Sequence, residues 1–156
     1  MSIRFEVNGR SCEAPPDEHC TLVEHLRDGL HLKATRYGCG QEQCGACVVL
    51  VDGVPRNSCQ LEVGHLQGRA ITTAEALGDS AEGRALLQAF EQFQAAQCGF
   101  CTSGILVRAL AFLRTSPDAS RESIARALDA HLCRCGAHPR IVAAIAQAWQ
   151  VTREGR

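Results

Sequence analysis

The stretch Cys39-Gly40-Gln41-Glu42-Gln43-Cys44-Gly45-Ala46-Cys47, completed by a lone Cys59, constrains this chain more than any other feature. Its spacing is C-x4-C-x2-C with one cysteine further on. For these thiolates to converge on metal, the chain must wrap tightly around the ligated group rather than run past it. Gly38, Gly40 and Gly45 suit that path, since glycine takes positive φ cheaply and lets backbone N–H groups approach sulfur. Seven of the ten cysteines lie in close groups of this kind: three here, two in Cys98-Gly99-Phe100-Cys101 and two in Cys133-Arg134-Cys135. Such spacing fits thiolates gathered on metal better than disulfides between distant segments.

C-x4-C-x2-C plus a downstream cysteine is the plant-type ferredoxin pattern for a [2Fe–2S] cluster. The sequence around it reads as a small β-rich fold. Ile3, Phe5 and Val7 alternate with Arg4 and Glu6, and Asn8-Gly9 then signals a type I′ hairpin leading to Ala14. Pro15-Pro16 ends the second strand. Thr21 to Glu24 forms a capping box opening a short helix with Leu22, Val23, Leu26 and Leu30 on one face and Gly29 near its end. After the cysteine loop, Cys47 to Val51 is an apolar β-branched run. Asp52-Gly53 turns it into a strand from Val54 to Leu61, and a last strand covers Arg69 to Thr72. This order predicts a β-grasp.

From Thr73 the composition shifts to Ala, Leu, Gln and Arg with a helical period. Gly78-Asp79-Ser80 marks a linker or helix start. Four helices are expected, over roughly 83–96, 103–115, 121–132 and 139–151, with Ser116-Pro117 and His138-Pro139 as punctuation. Short connections imply antiparallel packing in a four-helix bundle. The expected class is therefore α+β, with a β-grasp ferredoxin-type domain over residues 1–75 and a helical domain over 76–156.

In the helical half, Cys98 and Cys101 precede a helix, where N–H groups and the dipole favour thiolates. Cys133 and Cys135 are expected at the end of another helix, with Gly136 as its C-cap. Four cysteines from two loops suit either a second iron–sulfur cluster or a structural zinc ion.

The two halves together resemble the small iron–sulfur subunit of the molybdenum hydroxylases, the xanthine dehydrogenase, aldehyde oxidoreductase and carbon monoxide dehydrogenase family. Gln97-Cys98-Gly99-Phe100-Cys101 and Leu132-Cys133-Arg134-Cys135-Gly136 carry the resemblance, which spans about residues 3–151. It implies that Cys39, Cys44, Cys47 and Cys59 hold an outer [2Fe–2S] cluster. Cys98, Cys101, Cys133 and Cys135 would hold an inner one, with Gln97 and Cys135 touching the pterin of a molybdenum cofactor borne by a large partner subunit. Many members continue CRC with Thr-Gly-Tyr. Here Gly136-Ala137-His138-Pro139-Arg140 looks more like the isoquinoline and nicotinate branch, where the electron acceptor can be a cytochrome in place of the FAD subunit. The implied role is a relay of single electrons from molybdenum to that acceptor. Two other classes stay open: a free-standing two-cluster carrier, and a ferredoxin domain joined to a structural zinc site.

Sixteen basic residues against seventeen acidic ones argue against nucleic-acid or anionic-membrane binding. No apolar run approaches the roughly 18 to 20 residues of a membrane span. The N-terminus lacks signal-peptide character, so a cytoplasmic protein is expected, periplasmic only with a missing leader or a partner-borne signal. Cys12 and Cys20 read as ordinary half-buried thiols. His131 and His138 flank the CRC motif, where a Rieske-type ligand exchange is conceivable, but four cysteines leave them loop or capping roles. Arg134 reads equally as a cluster-facing or a solvated cation, and Trp149 as bundle core or a subunit contact.

Overall fold

The computed structural model describes residues 2–15 and 19–155. Pro16, half of the expected strand-ending pair, lies outside the described residues. Strands β1 (Ile3–Val7) and β2 (Arg10–Ala14) form the expected hairpin, paired from Ile3 opposite Ala14 to Val7 opposite Arg10. Asn8 and Gly9 both take positive φ, 52° and 75°, as a type I′ turn requires. β3 (Val48–Val51) and β4 (Val54–Asn57) make the second hairpin, with Asp52 and Gly53 at φ 50° and 80°. β5 (Ala70–Thr72) lies between the hairpins, parallel to β1 and antiparallel to β3, giving the order β2-β1-β5-β3-β4.

Helix α1 (Leu22–Glu24) opens on the capping box and runs into a π-turn over His25–Gly29. The Glu24 carboxylate accepts from the Thr21 backbone N–H at 2.8 Å and from its hydroxyl at 2.7 Å. Leu22 and Leu26 pack with Phe5, Val49 and Ile71, closing the β-grasp core. Helices α2 (Ala81–Gln92), α3 (Thr102–Thr115), α4 (Arg121–Ala127) and α5 (His138–Glu154) form the bundle. Ser80 caps α2 by accepting from Gly83 N–H at 3.1 Å. Trp149 is half-buried on α5, its indole N–H donating to the Ser116 carbonyl at 3.4 Å. No helix among the described residues is long and apolar enough to cross a membrane.

Two expectations need correction. The third bundle helix ends at Ala127 rather than near Leu132, because Leu128 N–H already bonds back to both Ile124 and Ala125 carbonyls in a tightening last turn. Cys133 and Cys135 therefore sit in a loop, and Gly136 (φ 75°) turns that loop toward α5 instead of capping a helix. The second correction is that β4 ends at Asn57. Ser58 leaves the ladder and bonds the Cys47 carbonyl through both its N–H (3.2 Å) and its hydroxyl (2.7 Å).

The halves share a core through β3. Val49 faces the β-grasp interior, while Val48 and Leu50 on the other face join the helical core with Ile105, Leu110 and Leu113. A strand covered on both faces reads as an unbroken apolar run, which is what Val48 to Val51 is. Asn8 supplies a polar tie. Its side-chain amide donates to Thr73 Oγ1 and its carbonyl oxygen accepts from Thr73 N–H, both at 2.9 Å, and Thr73 is fully buried. Replacing Asn8 by Ala leaves the buried Thr73 N–H unpaired, while the Thr73 hydroxyl keeps its bond to Glu75, and strains the turn, so Asn8→Ala should lower the unfolding free energy by about 2 kcal/mol in urea titrations. Asn8→Asp, which keeps an acceptor and tolerates the turn, should lose less.

Candidate metal centres

The first cysteine loop curls over the end of the sheet next to α1. Gln41 and Gln43 N–H groups each lie 3.3 Å from Cys39 Sγ, and Cys39 N–H lies 3.4 Å from Cys44 Sγ. Gly38 is required by close approach, since a Cβ there would stand 2.7 Å from Cys44 Sγ. Side-chain amides brace the loop from the strand side. Gln60 donates to the Gly40 carbonyl at 2.5 Å, and Asn57 to the Glu42 carbonyl at 3.3 Å. Cys47 and Cys59 are buried at 2% exposure against Val23, whereas Cys39 is exposed.

This difference in surroundings separates the thiols chemically. The Gln41 N–H, helped by Gln43 and Cys44, draws Cys39 down to about 7. Desolvation pushes Cys59 up to about 11, and neighbouring Cys47 adds to the rise. The loop thus presents one pair at the surface, Cys39 with Cys44, and one inside, Cys47 with Cys59.

The second group has the same two-by-two arrangement. Cys98, at the surface, meets the Cys135 side chain and is lowered chiefly by the Phe100 N–H. Cys101, at the start of α3, is desolvated up to about 12 and contacts Cys133. Burial works against ionising Cys133, but N–H groups of Ala137, Cys135 and Gly136 overcome it and lower its pKa. Gln97 Nε2 donates to the Cys135 carbonyl at 3.0 Å, bringing together the two residues expected at the pterin. Arg134 is exposed. Cys12 and Cys20 are half-buried against the β-grasp core, away from both groups.

Among the described residues, no three His, Cys, Asp or Glu side chains converge on one point as a single ion would need. The thiols meet in pairs instead, with N–H groups aimed at sulfur. Two thiolates per iron and N–H···S bonds to the sulfurs are what a two-iron cluster asks of its ligands, so both donor sets fit that group.

The two loops touch. Leu132 N–H donates to the Cys44 carbonyl at 3.0 Å, one residue ahead of Cys133. Beside this bond lies His131, 2% exposed, whose Nε2 accepts from Arg108 Nε at 3.3 Å. Burial first, then Arg108 and His138, push the imidazole down to about 4, so it stays a neutral acceptor. The sequence singles out His131 only for its place beside the CRC motif. Nothing in the sequence marks Arg108, because the contact joins segments far apart in the chain.

Comparison with known proteins agrees with this geometry. Residues 5–70 match the 2Fe-2S iron-sulfur cluster binding domain, and residues 73–146 match the [2Fe-2S] binding domain. A protein with both is a two-domain 2Fe-2S iron–sulfur protein. One of the nicotinate dehydrogenase subunits of Pseudomonas putida is 43% identical, over 98% of each chain. The alpha chain of isoquinoline 1-oxidoreductase from Brevundimonas diminuta is 38% identical over 94% of this chain and 96% of its own. The crystal structure of quinoline 2-oxidoreductase from Pseudomonas putida 86 superposes with a TM-score of 0.87 at 34% identity, covering 99% of this chain and 97% of the matched one. The chain belongs to the family of small 2Fe-2S subunits of the molybdenum hydroxylases, and is an oxidoreductase subunit.

The thiol environments give a prediction for the iron-free protein. Alkylation of Cys39 should accelerate through pH 6 to 8, as its thiolate fills about the pKa near 7, then level off. Cys59, protonated until about 11 and buried, should react at least about tenfold more slowly at neutral pH. Peptide mapping after brief iodoacetamide treatment reads both; equal labelling would contradict the assignment.

Proposed function

We propose that this chain is the electron-transfer subunit of a molybdenum hydroxylase whose substrate site lies on a partner chain. In this reading Cys39, Cys44, Cys47 and Cys59 hold the outer [2Fe–2S] cluster, and Cys98, Cys101, Cys133 and Cys135 the inner one. The division into residues 1–75 and 76–156 follows the division of the clusters. When bound, clusters of this type supply one-electron redox chemistry and no bond chemistry on an organic substrate.

The observation that carries the reading is the Leu132 N–H bond to the Cys44 carbonyl. A ligand residue of one group is joined to the residue preceding a ligand of the other by a single hydrogen bond. Two redox groups held this close suit a relay and serve no purpose in a structural site. At the far end, the Gln97 amide and the Cys135 loop face solvent side by side and offer polar contacts to a pterin held by the large molybdenum-cofactor subunit. At the near end, Cys39 and Tyr37 (52% exposed) lie open to the acceptor. That acceptor is an FAD subunit or a cytochrome. The Gly136-to-Arg140 segment, which resembles that of the isoquinoline and nicotinate branch, keeps the cytochrome open beside the FAD subunit.

Single ligand variants separate the two groups. Cys47→Ser should lose about half the iron and one of two reduced-state EPR signals, and Cys101→Ser should lose the other half and the other signal. Loss of zinc rather than iron from Cys101→Ser, or loss of both signals from either variant, would contradict the proposal.

A further inference from the structure

His131 and Gly45 meet where the two halves of the chain are pressed together. A Cβ built on Gly45 would stand 2.6 Å from His131 Nδ1 and 2.7 Å from the Ala130 carbonyl. From the other side, a Cβ on Gly104 of α3 would run into the Gly45 carbonyl. Gly45 is therefore pinched between α3 and the turn carrying His131, in a gap that admits no side chain. His131 is held by three further contacts, one on its ring and two on its backbone. Arg108 Nε donates to His131 Nε2, the His131 backbone N–H donates to the Leu128 carbonyl at 2.8 Å, and His138 Nε2 lies 3.0 Å from the His131 carbonyl. Gly45 directly follows Cys44 and His131 directly precedes Leu132. The pinch is thus one residue away, on both segments, from the hydrogen bond that joins the two cysteine loops.

We propose that His131 is a positioning residue for electron passage between the two cluster sites. Seated against Gly45 and held by Arg108, it keeps Leu132 N–H on the Cys44 carbonyl and so fixes the coupling between the sites. This rests on the two-cluster reading above. The step itself moves one electron: one site is oxidised as the other is reduced, and no bond or proton changes place. Its rate therefore depends on geometry, which is what His131 controls. A flat ring with few rotamers suits the role, since it fills a narrow gap and offers the half-buried Arg108 an acceptor. An aliphatic side chain would leave that guanidinium N–H unpaired and the seat free to shift.

The test uses the full-length chain with its clusters assembled, comparing wild type with His131→Leu, His131→Gln and Arg108→Met. Iron content and the reduced EPR signals are read first. A wild type lacking two clusters would sink the two-cluster reading and this proposal with it. With both clusters present, His131→Leu should keep the iron and the g values of both signals. It should weaken the dipolar splitting between the reduced clusters and slow intramolecular electron exchange about tenfold. His131→Gln, which restores an acceptor, should stay within about threefold of wild type. Should His131→Leu fail to assemble, Arg108→Met carries the same prediction from the opposite side of the hydrogen bond. Unchanged splitting and exchange in the assembled leucine or methionine variant, even with lowered stability, would overturn the proposal.

Discussion

Burial of β3 on both faces is the constraint on which the rest of the structure depends. Val49 closes the β-grasp core while Val48 and Leu50 close the helical one, so neither half can move without exposing apolar surface of the other. At about 25 cal/mol per Å² of apolar area, one fully buried Val or Leu is worth roughly 1.5 to 3 kcal/mol. Three such residues on one short strand hold the halves in a single register. The strand begins one residue after Cys47, so the same packing that fixes the halves also fixes the first cysteine loop against the second.

Within each thiol group one surface thiol and one buried thiol are set apart by the same two forces. Backbone N–H groups stabilise thiolate at the surface, at Cys39 and Cys98, and desolvation opposes it at Cys59 and Cys101. A bound cation offsets that inner cost, because coordination replaces the lost solvation of the thiolate. On the proposed reading, Cys59 and Cys101 therefore depend on metal more than Cys39 and Cys98 do.

Much of this was legible in the sequence because it is local. Asn8-Gly9 and Asp52-Gly53 dictate their turns through the two successive positive φ values that such pairs take cheaply. The Thr21–Glu24 box fixes a helix start within four residues, and the cysteine spacings mark both thiol groups. What the sequence withheld is what arises between distant segments. The end of α4 at Ala127 was hidden because Leu128 to Leu132 keeps an apolar helical rhythm, while its backbone is claimed by His131 N–H to Leu128 and Leu132 N–H to Cys44. Gly45 and Gly104 look like ordinary loop and helix glycines until their carbonyl-to-Cα approach is seen. Arg108 has the composition of a solvated helix face and is instead the donor that seats a buried imidazole.

On the proposed reading, each group of four thiols is built, two by two, for a two-iron cluster. Native mass spectrometry of the anaerobically purified chain tests this most directly. The expected mass is that of the polypeptide plus two Fe2S2 units. A mass corresponding to one Fe2S2 unit plus one zinc ion would contradict the reading for the helical half.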